Sequence, residues 1–384
     1  MSQNKKPHIL ILFSDTGGGH RSAAEAIIEA IQLEFGDVVT TEMLDFFKSH
    51  APLPLNKMPD WYPDMVKAPQ LWGLSFKMSD GRRRARAITA SMWPYVGRAT
   101  RRIVKEHPAD LIVTVHPLAT TVFLKALGRS GPPFIIVVTD MVTTHALWYD
   151  QRADLILVPT EIARQRAIAY QMSPDLVRVV GQPVAERCCI PAGNKDDLRK
   201  KLGWERDKTV VLLTGGGEGM GPLGKTARAI ATSGLDVVLA IVAGRNQRLK
   251  KHLESLDWPV PAHIYGFTHD LPDFMRAADV LVTKAGPGTI AESLNANLPM
   301  ILNAKLPGQE DGNVTFVVEE KVGVWAPELE QVVQTLREWV QNPEVRLGYV
   351  ENCRHAARPD ASRQIARAIG ETLELIPERT ILKE

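Results

Sequence analysis

The stretch HILILFSDTGGGHRSAAEAI, residues 8–27, decides the fold class. Its first eight residues, 8–15, are predicted as a strand, and the run ILILF within them has no polar alternation, the pattern of a strand buried on both faces. An alanine-rich helical pattern follows. Between them stand Gly17, Gly18 and Gly19, then His20. Glycines at that point carry no Cβ, so a ligand can approach the backbone. The helix start beyond them offers unpaired N–H groups and the positive end of the helix dipole. Strand, glycine turn and helix together make the opening unit of a parallel α/β domain.

The unit recurs along the chain. Strands are predicted at 38–46, 111–116, 134–140, 155–159 and 177–181, then at 209–217, 236–244, 263–267, 280–286, 299–306 and 323–326, with helical patterns between most of them. This is an α/β chain of two doubly wound parallel-sheet domains, parted near GQPVAERCCIPAGNKDDLRKKLG (181–203). The expected division is 1–182 and 183–384, with the last helix packing back on the first domain. Open α/β sheets bind ligands at the carboxyl ends of their strands, so the site is expected in the cleft that the two domains face.

Composition narrows the class. At 384 residues, 45% hydrophobic and 23% charged, the chain is globular and long enough for two cores. Its three cysteines, Cys188, Cys189 and Cys353, show neither metal spacing nor a disulfide framework, so a cytoplasmic setting and no metal site are expected. The apolar run at the N-terminus is too short for a signal peptide core, and no run is long enough to span a bilayer.

The segment 50–105 stands apart. It carries eleven Lys or Arg against three Asp, a local charge of +8 in a chain of formal charge +2, so the remainder sums to −6. Aromatic residues, Trp61, Trp72 and Trp93 among them, are interleaved with the cations, including Arg82, Arg83 and Arg84. The combination fits peripheral binding to an anionic membrane surface, although a solvated basic helix over an ordinary core would read the same. No base-reading motif accompanies the patch, so nucleic acid is not expected as a partner.

Three glycine loops carry the chemistry. The first lacks the GxGxxG spacing of dinucleotide-binding turns and the GK[ST] of a P-loop. The second, LLTGGGEGMGPLGK (212–225), follows a strand in the other half; Gly216, Gly217 and Met220 lie in it as a candidate phosphate cradle. The third is the most specific: VTKAGPGTIAESLNANLPMILNAKLPGQEDGN (282–313). Here Ala285, Gly286 and Gly288 form a turn that leads to Thr289 at a helix start. Glu292, three residues on, has the spacing of a capping box. Its carboxylate either closes that box or accepts both hydroxyls of a ribose. Farther on, Gln309, Glu310 and Asn313 supply the hydrogen-bonding groups that a sugar ring requires, unless the loop is simply a polar turn. Lys284 and Lys225 lie where they would add positive charge, or are solvated surface residues.

SDTGGGHRSAAEAI, TGGGEGMGP, KAGPGTIAES and LPGQEDGN, in this order and over nearly the whole chain, resemble the monogalactosyldiacylglycerol synthases and processive diacylglycerol glycosyltransferases, MurG-like members of glycosyltransferase family 28. The resemblance implies a GT-B fold of two Rossmann-like domains, the first binding acceptor and the second nucleotide sugar. It implies inverting transfer of a hexose from a UDP-hexose to the sn-3 hydroxyl of diacylglycerol, with no metal or cofactor, at the inner face of the cell membrane. His20 matches the family's base, and the glycines Gly18 and Gly19 before it face the donor. Glu292 matches the ribose glutamate, and Gln309 with Glu310 the donor-hexose contacts. Tyr265, Gly266 and Phe267, through their backbone, match the uracil turn, and Arg245 a nucleotide-site residue. The basic aromatic segment matches the acceptor-side docking region.

An imidazole suits the base of a single displacement, being neutral near pH 7. Asp140, at a strand end, is the expected partner of His20; His116 and His145 lie at similar positions. The AGPGTIAE form resembles the galactosyl enzymes more than the glucosyl ones, which favours galactose. Rival expectations on the same fold are a MurG-like transfer of GlcNAc to a polyprenyl lipid, a UDP-GlcNAc 2-epimerase, and a non-catalytic membrane protein that binds nucleotide sugar. The sequence sets no oligomeric state.

Overall fold

The structure, a computed structural model, describes residues 6–15, 19–58, 60–61, 68–191, 193–217 and 219–375. Two six-stranded sheets form, and every strand pairing is parallel. The first contains β1 (His8–Phe13), β2 (Thr40–Asp45), β3 (Leu111–Thr114), β4 (Phe134–Val137), β5 (Leu155–Val158) and β6 (Val177–Val179), in the order β2-β1-β3-β4-β5-β6. The second contains β7 (Thr209–Thr214), β8 (Val237–Val242), β9 (Ala262–Tyr265), β10 (Val280–Lys284), β11 (Met300–Ala304) and β12 (Gly323–Trp325), in the order β12-β11-β10-β7-β8-β9.

The apolar runs become strands because both faces of each sheet are covered. Leu10, Leu12, Ile112, Ile136 and Ile156 pack on one side of the first sheet. Ile9, Ile11, Val113, Ile135 and Leu157 pack on the other. Side chains alternate with period two, so a continuous apolar run feeds both cores, and each such side chain contributes about 1.5–3 kcal/mol by leaving water.

Strand order places the loops that matter. β1 pairs with β2 on one side and β3 on the other, so the connections leave β1 and β3 in opposite directions. β7 stands likewise between β8 and β10. At such switch points the loops splay and leave a crevice at the carboxyl ends of the strands.

The chain divides into two units. The first comprises Met1–Glu186, Pro307–Gln309 and Asp360–Glu384; the second comprises Arg187–Leu306 and Glu310–Pro359. Within the first unit the helix Ala361–Thr372 lies along the helix Gly19–Phe35. Ile365 and Ile369 join Ile27, Ile31 and Phe35 in one core. A Cβ on Gly370 would stand 2.1 Å from the Phe35 ring, so the glycine sets the closeness of the two helices. Buried Glu34 anchors the pair, accepting from Arg363 at 3.1 Å and Arg367 at 2.9 Å. The basic segment folds chiefly as two helices, Pro69–Ser79 and Arg82–Glu106.

Candidate active site

In the first unit, the loops after β1 and β3 bring two histidines together at the switch point. His20 sits in the first turn of the helix Gly19–Phe35, and its ring centroid lies 4.5 Å from that of His116. The Trp148 ring is 6.2 Å away. Burial pushes the pKa of His20 down to about 4, against the opposing pull of a hydrogen bond to the Val115 carbonyl. Burial, and secondarily the neighbouring His20, holds His116 well below its ordinary value. Both rings therefore stand neutral at physiological pH. His116 also caps the helix Pro117–Leu127, its Nδ1 accepting from the Leu118 amide at 3.2 Å.

The side chain on Nδ1 of His20 is Thr139, whose Oγ1 lies 3.1 Å away. This corrects the expectation that Asp140 partners the histidine. Asp140 looks elsewhere: Oδ2 accepts from Trp148 Nε1 at 2.7 Å and Oδ1 from Gln309 Nε2 at 3.0 Å. Gln309 thus has its amide fixed, with its Oε1 buried and without a hydrogen-bond partner. His145 is a capping residue, its Nδ1 accepting from Leu147 N at 3.1 Å and its Nε2 lying 3.1 Å from Ser79 Oγ. No Cβ neighbour lies within 4 Å of Gly19; Gly17 and Gly18 lie outside the described residues.

The second unit sets a lysine–glutamate pair at its own switch point, in the recess where the loops after β7 and β10 meet. Lys284 ends β10, and its Nζ pairs with Glu310 Oε1 at 2.6 Å. A Cβ on Gly286 would stand 2.9 Å from that ammonium, and one on Gly216 3.7 Å from Lys284 Cε. Lys284 is therefore no solvated surface residue, whereas Lys225 is exposed. The loop itself depends on glycine. Gly216, Gly219 and Gly244 have φ of 72°, 60° and 60°, and a Cβ on Gly244 would lie 2.4 Å from the Gly217 carbonyl oxygen. The fold is closed by Arg245 N donating to Gly217 O at 2.8 Å and Met220 N to Gly215 O at 2.9 Å.

Beside the recess, the helix Pro287–Asn295 has Gly286 as its N-cap, without a side-chain cap. Thr289 is thus already inside the first turn and Glu292 a turn further on, so the capping box does not form. Glu292 is half-buried, and no hydrogen bond to its carboxylate is found among the described residues. Burial raises its pKa to about 7, with Arg187 pulling the other way. An ionisable carboxylate held out of bulk water without donors is a site waiting for hydroxyls.

Other expected contacts are partly committed to the protein. Glu310 is buried, and its second oxygen accepts from Leu306 N at 2.7 Å. Asn313 donates to the Ala285 carbonyl at 2.9 Å and keeps a buried Oδ1 without a partner. Ala285 N donates to Ala304 O, so both of its backbone groups are engaged. The half-buried Tyr265 ring packs against Phe274 and Trp204, its hydroxyl accepting from Trp204 Nε1 at 2.8 Å. Past Gly266, Phe267 is half-exposed, with the Arg245 guanidinium 4.6 Å above its ring. A Cβ on Gly288 would meet nothing within 4 Å.

The basic segment sorts differently from its sequence. Trp61 is exposed, but Trp72 and Trp93 are half-buried. Trp93 packs over Gly97 beneath Lys125 at 4.4 Å. Arg84 spends donors on the Lys77 and Asp80 carbonyls, Arg83 is exposed, and Arg82 lines a cavity of about 350 Å³ with Arg86 and Arg152. Besides Leu53 and Tyr95, the exposed apolar residues include Leu71, Leu74 and Met78, at 69%, 56% and 65%. Their spacing of three and four puts them on one face of the helix Pro69–Ser79.

Comparison with known proteins agrees with this geometry. Residues 20–184 match the family model for monogalactosyldiacylglycerol (MGDG) synthase, and residues 210–362 that for the glycosyltransferase family 28 C-terminal domain. The chain is 36% identical over 383 residues to the probable monogalactosyldiacylglycerol synthase 3, chloroplastic, of Oryza sativa subsp. japonica, covering 97% of this chain and 75% of that protein. It is 36% identical over 379 residues to monogalactosyldiacylglycerol synthase 2, chloroplastic, of Arabidopsis thaliana, covering 96% and 81%. The fold is shared with Staphylococcus aureus MnaA bound to UDP (TM-score 0.62, 17% identity, 96% and 98% covered). It is also shared with Acinetobacter baumannii MurG (TM-score 0.59, 15% identity, 95% and 99% covered). The architecture is GT-B.

Proposed function

The chain belongs to the monogalactosyldiacylglycerol synthase family, and from that premise we propose that it transfers a hexose, galactose before glucose, from a UDP-hexose to the sn-3 hydroxyl of 1,2-diacylglycerol. The product is a monoglycosyldiacylglycerol with inverted anomeric configuration. The chain is a UDP-sugar glycosyltransferase. The observation that carries this is the recess of the second unit, where a lysine, a helix N-terminus and a glycine loop converge one helical turn from an unpartnered carboxylate.

That arrangement suits a nucleoside diphosphate. The first-turn amides of Gly288 and Thr289 have no acceptor within their helix and, with Lys284, meet the diphosphate. Glu292 accepts the ribose hydroxyls. Gln309, its amide turned by Asp140, offers Oε1 to a hexose hydroxyl. In the reaction the sn-3 oxygen attacks the anomeric carbon as His20 takes its proton, and the bond to UDP breaks with its electron pair leaving on the diphosphate. The developing charge is stabilised by Lys284 and the helix amides, so no metal ion is invoked.

Neutral His20 is the competent form of the base. The acceptor reaches it from a lipid surface. Leu71, Leu74 and Met78 form the apolar stripe that enters an anionic bilayer, and the exposed Lys77, Arg83 and Arg86 of the same segment supply charge toward it. Among the described residues no helix is long and apolar enough to cross a membrane. We place the protein peripherally at the inner face of the cell membrane. The synthase relatives at 36% identity weigh against polyprenyl-linked acceptors, epimerisation and a non-catalytic role.

The test is UDP release from UDP-galactose and UDP-glucose, with and without diacylglycerol vesicles, and identification of the lipid product. Lipid-dependent release, faster with UDP-galactose, is expected. Release independent of diacylglycerol, or none, refutes the assignment.

A further inference from the structure

His20 is half-buried and its ring also meets the Val115 carbonyl, so which of its nitrogens carries the proton depends on the groups the protein sets around it. The one side chain on Nδ1 is Thr139, at 3.1 Å and 119 positions away in sequence. Thr139 is itself buried at 5% exposure, just beyond the end of β4. Its carbonyl accepts from the Nε2 of Gln182 at 3.0 Å, which anchors its main chain and hence the origin of the hydroxyl. The ring has little freedom to turn away, with His116 at 4.5 Å and Trp148 at 6.2 Å between centroids. The neighbouring acid is committed elsewhere, to Trp148 and Gln309. The usual orienting carboxylate of a catalytic histidine is thus replaced by a hydroxyl.

We propose that Thr139 is a positioning residue that holds His20 in the Nδ1–H tautomer, so that Nε2 carries the lone pair that takes the acceptor's proton. This rests on the base assignment made above. Nδ1–H donates to Oγ1 of Thr139 in the resting state. During transfer the O–H bond of the acceptor breaks, its proton goes to Nε2, and the oxygen electron pair forms the bond to the anomeric carbon. The Nδ1–H to Oγ1 bond remains in place through that change, because the hydroxyl oxygen accepts from neutral ring and imidazolium alike. A hydroxyl orients without adding charge, which suits a ring whose own burial disfavours the cation.

Two measurements test this, one of them independent of activity. In selectively 15N-histidine-labelled protein, the His20 signals are identified by their loss in His20→Asn. Nδ1 is expected to be the protonated nitrogen and Nε2 the bare one; the reverse tautomer overturns the proposal even if no lipid is ever glycosylated. Second, Thr139→Val keeps the shape and removes the hydroxyl, while Thr139→Ser restores it. Thr139→Val should lower kcat by about ten- to a hundredfold with KM for UDP-hexose within about twofold, and Thr139→Ser should recover most of the rate. A Thr139→Val enzyme with unchanged kcat, a change in KM alone, or a serine variant as slow as valine refutes it. Wild-type and His20→Ala assays run alongside separate these outcomes from failure of the transfer or base assignment.

Discussion

Replacing Glu292 with glutamine should make the protein more stable and a poorer enzyme, and the size of both effects follows from its surroundings. Burial raises the carboxyl from its ordinary 4.5 to about 7, with Arg187 only partly opposing. For an acid whose folded pKa is raised, stability is full below the unfolded value and is lost as pH rises through the folded one. The span between 4.5 and about 7 corresponds to about 3 kcal/mol, reduced to about 1–2 because the side chain is half-buried and partly screened. Glu292→Gln carries no such cost, so at about pH 8 it should exceed the wild type by that amount, with the difference shrinking toward zero near pH 5. Binding moves the other way. If the ionised form accepts the ribose hydroxyls, about one site in eleven is competent near pH 6 and about ten in eleven near pH 8. KM for UDP-hexose should thus be about tenfold higher at the lower pH. In the glutamine variant KM should be raised and flat with pH. Thermal unfolding with and without UDP between about pH 5 and pH 9, with initial rates over the same range, reads both quantities. A variant less stable than wild type at about pH 8, or one that keeps the pH-dependent KM, refutes the reasoning.

Other outcomes are equally specific. His20→Ala should reduce kcat by about a thousandfold while calorimetric UDP binding persists, because Lys284 and the glycine loop lie in the other unit. His20, depressed to about 4, stays neutral as pH falls through 6.5, so it contributes no acid limb to kcat above about pH 5; its contribution to stability is lost only between 6.5 and 4, which acid titration of unfolding reads. Gly244→Ala should cost about 2–3 kcal/mol and abolish UDP binding, since its φ is 60° and the new Cβ would lie 2.4 Å from the Gly217 oxygen. Changing Leu71, Leu74 and Met78 together to serine should weaken sedimentation with anionic vesicles by more than about tenfold while leaving the thermal midpoint unchanged, because these side chains are exposed.

The inner strands were legible because parallel strands covered on both faces are apolar throughout, and that signal is local, whereas the edge strands Thr40–Asp45 and Val177–Val179 are more polar and more exposed. The glycine turns were legible for the same reason: they interrupt the runs at the switch points. Partnerships were not. Thr139 reaches His20 across 119 positions, and nothing in VVTD distinguishes it from Asp140 beside it. The Thr289–Glu292 spacing satisfies a capping box, but Pro287 and Gly286 start the helix earlier and move both residues inside it. The tryptophans of the basic segment suggested a membrane face, yet Trp72 and Trp93 are the half-buried ones, and Leu71, Leu74 and Met78 face out. Hydrophobicity says that a residue will be covered, while only the packing says by what. Gly244 escaped notice as a lone glycine after a strand, although its positive φ is what allows the loop of Gly216 and Gly217 to close.

The helix Ala361–Thr372 bears on how the protein is made. It covers Ile27, Ile31 and Phe35 of the first unit, yet it leaves the ribosome after almost all of the second. At ordinary elongation rates of about 5–20 residues per second the apolar strip of Gly19–Phe35 therefore waits roughly seventeen to sixty-seven seconds for its cover. During that interval the nascent first unit is a substrate for chaperones, and a gene cut after residue 186 would yield a fragment that stays in that condition.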